Sequence, residues 1–188
     1  MTITPTSGIL RLVSNSQNFT QQLDNLLAWE SVSDQKVEQA VTDIIAAVKK
    51  DGDSAVIKFT QQFDAMPCEA IGDLVISAAG LSAAFDRIDA EAREALNIAA
   101  ERIRRFHERQ KSSSWQYEED GVLLGQKVTP LDRVGIYVPG GQASYPSSVL
   151  MNAIPAKVAG VGEIIMVTPT PNGLANDMVL AAAHIAGI

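Results

Sequence analysis

The chain has 188 residues, 46% of them hydrophobic and 20% charged, which is enough to enclose a core in one or two domains. A net charge of −7 repels phosphate backbones, so nucleic acid is not expected as a partner. No apolar run reaches the roughly 18 residues needed to cross a bilayer, and the N-terminus has no basic stretch leading into an apolar one. Together with the single cysteine, Cys68, which allows no internal disulfide, this points to a reducing, cytoplasmic setting without membrane contact.

Residues 1–18 are polar without a clean period and read as an arm. Leu23, Leu26 and Leu27 predict a short amphipathic helix over residues 19–29. Ser33 then opens a stronger one as its N-cap, with Val37, Val41, Ile44, Ile45 and Val48 at helical spacing. Lys49 and Lys50 suit its negative end and Gly52 its C-terminal cap. Asp53 caps the next helix, residues 54–63, which sets Val56, Ile57, Phe59 and Phe63 largely on one side. Cys68, in a loop with no histidine nearby, reads as inert.

Residues 74–77, Leu-Val-Ile-Ser, predict a short strand, and residues 82–88 a small helix. Asp89 caps a long helix to residue 111 with Ala92, Leu96, Ala99, Ile103 and Phe106 on its apolar side. The basic residues crowding its far end, Arg102 to Lys111, form a solvated face that complements the helix dipole, with anion binding as the second reading. His107 among them is a surface residue. Two apolar runs around Asp120-Gly121 predict a β-hairpin. Thr129-Pro130-Leu131 then breaks the pattern and marks a domain boundary.

From Arg133 the order becomes β-α-β-α: a strand at residues 134–138, a helix at 147–158, a wholly apolar strand at 163–168 and a helix at 174–186. Pro155 predicts a kink or an early end in the first of these helices. The apolar second strand suggests a sheet covered on both faces, and the alternation implies parallel pairing. His184, on the last helix, is packed or partly exposed. No histidine, cysteine or carboxylate cluster has metal-ligand spacing.

Val138-Pro139-Gly140-Gly141 falls at the carboxyl end of the first strand of this unit, where open parallel sheets bind ligands. Glycine there removes a Cβ that would obstruct a ligand. The helix that follows offers free N–H groups to an anionic group such as a pyrophosphate. Tyr137 brings a flat ring and a hydroxyl. The residues leave two readings open: contact with a cofactor, or a structural turn beside a core tyrosine. The turn is neither a G-x-G-x-x-G nor a Walker pattern.

The longer stretch RVGIYVPGG…YPSSVLMNAIPAKVAGVGEIIMVTP resembles histidinol dehydrogenase. The segments VEQAVTDIIAAVKKDGDSAVIKFTQQFD, EALNIAAERIRRFHERQK and GVLLGQKVTPLDRVGIYVPGG resemble the same family, so the likeness runs from about residue 33 onward. The resemblance implies an aldehyde dehydrogenase-like α/β fold, incomplete in this chain. A helical and hairpin part would be followed by the first β-α-β-α of a Rossmann-like parallel sheet. It implies oxidation of L-histidinol to L-histidine through the aldehyde, with two NAD reduced in succession, a zinc ion on the substrate, and a homodimer. Of the family's functional residues, Tyr137 corresponds to a tyrosine that contacts NAD, with Pro139 and Gly140 as neighbours of that contact. The family's zinc ligands and its catalytic Glu-His pair lie beyond residue 188, so no catalytic or metal residue is assigned here. The expected organisation is an arm and short helix at 1–32, part of a first domain at 33–132, and half of a nucleotide-binding domain at 133–188. By itself the chain is expected to be inactive. The alternative is a non-catalytic nucleotide-binding or oligomerisation module of the same fold.

Overall fold

The structure is a computed structural model that describes residues 11–140 and 144–188, with residues 28–35 as backbone alone. The first ten residues of the expected arm therefore lie outside the described residues. Contacts group the chain into two units, Met1–Ala55 and Val56–Ile188.

In the first unit, helix α1 spans Phe19–Asp51 without interruption. The two helices expected there, with a break capped by Ser33, are one. No glycine or proline occurs between Phe19 and Asp51, and serine costs a helix interior only a few tenths of a kcal/mol, about the spread among ordinary residues. The helix ends as its sequence dictates: Lys49 and Lys50 occupy the last turn, and Gly52 caps it at φ 59° with its N–H on the Val48 carbonyl. Helix α2, Asp53–Asp64, follows at once. Asp53 is its first residue, and the side-chain bond at this junction is made by Ser54, whose hydroxyl donates to the Asp51 carbonyl.

In the second unit, the strand expected at residues 74–77 does not form. Asp73 accepts the N–H groups of Glu69 and Ala70, which winds Ile71–Leu74 into a 3-10 turn. Ser77 is then used as an N-cap, accepting from the Gly80 N–H. Helix α3 accordingly starts earlier than expected and runs Ala78–Arg87. Helix α4 spans Ala90–Glu108 with Asp89 as its N-cap, the carboxylate 2.7 Å from the Ala92 nitrogen. Leu96 and Ala100 are buried along it, whereas Phe106 is exposed. The hairpin forms as expected: β1 (Trp115–Glu119) pairs antiparallel with β2 (Val122–Gln126). Asp120 and Gly121, both at positive φ, make the two-residue turn that matches strand twist. Every residue of both strands is exposed.

Strand β3 (Arg133–Tyr137), helix α5 (Pro146–Ala159), strand β4 (Glu163–Val167) and helix α6 (Asp177–Ala186) complete the chain in the expected order. β3 and β4 pair in parallel, Arg133 opposite Glu163 through Tyr137 opposite Val167. Among the described residues the sheet has these two strands. Among the described residues nothing covers its second face, in contrast to what the apolar sequence of β4 suggested. Val134, Ile136, Ile164 and Met166 pack into the core, on the face that α5 contacts, whereas Gly135, Tyr137, Ile165 and Val167 stand exposed on the other. Side chains alternate across the pleat, so one helical layer buries one set only.

α6 lies at the centre of the helical layer, against α3, α4 and α5. Ala181, Ala182 and Ala183 are wholly buried there, and their small side chains let neighbouring helices come close. Val149, Leu150, Ala153 and Ile154 of α5 are equally buried. That packing explains why α5 continues through Pro155 to Ala159 instead of ending early. Burial on both sides of the proline offsets a helix penalty of roughly 3 kcal/mol. A bidentate ion pair from Arg87 to Asp177 ties the end of α3 to the start of α6.

Candidate functional site

The carboxyl ends of β3 and β4 carry the turn that the sequence singled out. Val138 is fully buried and donates its N–H to the Val167 carbonyl, so it fixes where the chain leaves the sheet. Two residues later Gly140 passes against the loop that follows β4. A Cβ built on Gly140 would stand 2.7 Å from the Pro169 carbonyl oxygen and 3.1 Å from the Thr168 hydroxyl. The glycine is therefore required for two backbones to meet, before any ligand is considered. Gly141 lies outside the described residues.

Beside this crossing is a cleft of about 440 Å³, walled by Gly140, Thr168, Pro169, Leu174, Asn176 and Val179 among others. Among the described residues its walls carry no charged side chain; the polar groups are those of Ser144, Thr168 and Asn176. Asn176 also caps α6, its side-chain oxygen accepting from the Met178 and Val179 N–H groups. Asp177, next in sequence, is committed to Arg87. That hydrogen-bonded guanidinium holds the carboxyl below its ordinary pKa, and Asp177 in turn raises Arg87. The rim beyond is steadied by Met66, whose sulfur accepts a bond from the Thr170 hydroxyl.

The two helix starts near the strand ends differ. α6 is capped by Asn176, whereas α5 begins at Tyr145-Pro146 without a side-chain cap bond. Helix starts suit an anion through free N–H groups, but Pro146 has none and the Ser148 N–H bonds the Tyr145 carbonyl.

Of the three residues expected to contact a cofactor, Gly140 lines the cleft. Pro139 is exposed on the turn and is not one of the cleft's walls. Tyr137 is 62% exposed, so it is not a core tyrosine. It projects from the open sheet face opposite Val167, also outside the cleft walls. The wall residues that sequence reading passed over, Thr168, Pro169 and Asn176, belong to the loop after β4. The rule that ligands collect at strand carboxyl ends applies to that loop as well, and Thr168-Pro169-Thr170-Pro171 was its visible signal. At the opposite, amino end of the sheet Arg133 and Glu163 pair at 2.6 Å, away from this chemistry.

Neither histidine joins a site. His184 is exposed on α6 with its ring 5.2 Å from that of Phe85, and His107 lies edge-on to Phe106. Among the described residues no three His, Cys, Asp or Glu side chains come close enough to hold a metal ion. These residues therefore do not fit a zinc site. The cleft, with its apolar and neutral polar walls, does have room for part of a nucleotide.

Comparison with known proteins gives the chain its place. The family model for histidinol dehydrogenase matches residues 27–188. The histidinol dehydrogenase of Pseudomonas putida is 59% identical over 187 residues, covering 99% of this chain and 42% of that protein. That of Chromobacterium violaceum is 58% identical over 181 residues, covering 96% of this chain and 42% of that protein. The crystal structure of histidinol dehydrogenase from Elizabethkingia anophelis superposes with a TM-score of 0.72 at 32% identity, over 81% of this chain and 35% of that one. The chain thus spans about 42% of the length of the curated relatives it matches. By the extent of the family match and the level of identity, the chain belongs to the histidinol dehydrogenase family.

Proposed function

We propose that this chain is the dinucleotide-facing part of an NAD-dependent oxidoreductase of histidine biosynthesis, one that oxidises L-histidinol to L-histidine through the aldehyde. The observation that carries this reading is near-identity of length between the chain and its alignment to histidinol dehydrogenases, 59% identical over 187 residues, combined with a cleft where the parallel strands end. The β3-α5-β4-α6 order supports a Rossmann-like sheet of which this chain supplies the opening unit. NAD, when bound, supplies the hydride acceptor. Gly140 and the cleft walls would hold one part of it, and Tyr137, with Pro139 beside it, another part. The division into residues 1–32, 33–132 and 133–188 belongs to this reading, as do a homodimer and a cytoplasmic location.

Zinc belongs to the proposed reaction, but the described side chains offer it no ligand set, so no step is assigned to it. Oxidation of an alcohol needs a base, a hydride acceptor and the substrate held in one geometry. This chain contributes the acceptor's cradle. It is therefore expected to show no turnover alone. The test is NADH formation with L-histidinol, NAD and zinc, alongside NAD titration of wild type and Tyr137→Ala. Binding that weakens in the variant, without turnover, supports the reading. Indifference of NAD to the chain removes its basis. The non-catalytic module reading differs in one outcome: the nucleotide would bind, while the coding sequence of a longer family member would not be needed for function.

A further inference from the structure

We propose that the exposed end of α4 seats the β1-β2 hairpin of a second copy of this chain, so that two copies exchange hairpins reciprocally. The contact holds whether or not the chain binds a dinucleotide.

Two exposed surfaces carry this. The first is a line along α4. Ile98, Arg102 and Phe106 follow at four-residue spacing, which stacks them on one face, and Arg105 and Arg109 stand on the adjoining row. All five are exposed, Phe106 at 60%. The charge here is opposite to that of the whole: residues 102–111 hold Arg102, Arg104, Arg105, Arg109 and Lys111 against Glu108 alone, in a chain of net charge −7. Glu101 approaches Arg105 at 3.7 Å and Glu108 takes Lys111, while among the described residues Arg102 and Arg109 have no ion pair.

The second surface is the hairpin. Side chains alternate across the pleat, so Trp115, Tyr117 and Glu119 share a face with Gln126, Leu124 and Val122 opposite them. The Trp115 and Tyr117 rings stack on that face, 6.1 Å between centroids. The face is exposed throughout, and a two-stranded hairpin with nothing to cover it is marginal in water. At its tip three acids follow in sequence, Glu118, Glu119 and Asp120.

The two surfaces match in length, polarity and charge. From Ile98 to Arg109 the helix rises roughly 16 Å, and from Trp115 to Glu119 the strand runs about 14 Å. Laid along α4, the hairpin sets Trp115, Tyr117 and Leu124 against Ile98 and Phe106, and its acidic tip against the arginines. A nucleic acid would engage the arginines and leave Ile98 and Phe106 in water. An anionic bilayer would be repelled by the net charge of the chain. Within one copy both surfaces stay exposed, joined by residues 109–114. Between copies each hairpin reaches the other's α4, and the exchange closes under a twofold axis.

The experiment is sedimentation equilibrium on the full 188-residue chain and two charge-reversed versions, Arg102→Glu with Arg109→Glu, and Glu118→Arg with Glu119→Arg. Wild type is expected to dimerise. Each version meets like charge in its own copies and should self-associate about tenfold more weakly or worse. Mixed in equal amounts, the two regain opposite charges at both contacts and should form a heterodimer of near wild-type affinity. Phe106→Ala and Tyr117→Ala, at exposed sites, should each weaken the dimer by about tenfold, while a melt at low concentration stays within about 2 °C of wild type. A wild-type chain that stays monomeric at submillimolar concentration overturns the proposal. Self-association that ignores both charge reversals places the interface on another face and overturns it too, as does a mixture that fails to regain the dimer. A monomeric chain retained on heparin, and released by Arg102→Glu with Arg109→Glu, would give the arginines to a polyanion and overturn it as well. NAD binding is read separately, so this contact and the proposed function stand or fall independently.

Discussion

Replacing Gly140 with alanine isolates the backbone crossing at the strand ends. Its φ is not in the left-handed region, so alanine meets no conformational penalty, and the whole effect is steric. The new Cβ would stand 2.7 Å from the Pro169 carbonyl oxygen, 3.1 Å from the Thr168 hydroxyl and 3.3 Å from the Pro169 ring. The first of these is backbone, so relief requires one loop to move. Overpacking of this kind costs about 1–3 kcal/mol. For a chain of this size that corresponds to a fall in melting temperature of roughly 2–12 °C, at about 2–4 °C per kcal/mol. Gly135 is the control. It lies in β3, the strand that leads into this turn, and a Cβ built there has nothing within 4 Å. Glycine in a strand interior is about 0.5–1 kcal/mol worse than alanine, so Gly135→Ala should raise the melting temperature slightly. Thermal unfolding followed by far-ultraviolet circular dichroism measures both. An unchanged midpoint for Gly140→Ala, or a larger loss at Gly135, would refute the claim that backbone approach sets this turn.

Other outcomes follow from the packing and the ion pairs. Ile154→Ala, in the wholly buried face of α5, should cost about 2–5 kcal/mol in urea unfolding, whereas Leu174→Ala, at 75% exposure, should stay within about 0.5 kcal/mol of wild type. Ala65 ends α2 at φ 49°, so Ala65→Gly should stabilise by about 0.5–1 kcal/mol, read as a higher urea midpoint. The Asp177 carboxyl is lowered in the folded state by Arg87, so its contribution is complete above the ordinary carboxylate pKa and disappears as pH falls through the depressed value. Asp177→Asn should therefore melt below wild type at neutral pH and converge with it in strong acid. A gap that persisted or widened on acidification would contradict the pairing.

Much of this architecture was legible because local signals and packing agree. Gly52, Asp89 and Asp120-Gly121 each encode a cap or turn in their own chemistry, and each appears where its chemistry places it. The β3-α5-β4-α6 order was likewise carried by periodicity. The misreadings arose where two local rules competed. Val75 and Ile76 look like strand residues, but Asp73 and Ser77 on either side use their side chains to build a 3-10 turn and a helix cap, and among the described residues no neighbouring strand pairs with them. Ser33 looks like a helix start, yet nothing near it stops the preceding helix. Pro155 reads as a breaker, but tertiary packing of Ala153 and Ile154 overrides it. At the site, the sequence pointed to the turn at Gly140 and missed the opposing loop. Thr168, Pro169 and Asn176 approach Gly140 only through parallel pairing across 30 residues of chain.

The alanine triplet of α6 has a bearing on how tunable that cleft can be. Ala181, Ala182 and Ala183 have no rotamers to adjust, and they are wholly buried in a helix that packs against three others. Val179 and Leu180, in the turn just before them, form one cleft wall. The position of that wall is thus governed by main-chain spacing, as a hinge pin sets a door. A residue one methylene larger in the triplet cannot be absorbed by a side-chain swing. It must displace one of the helices packed against α6.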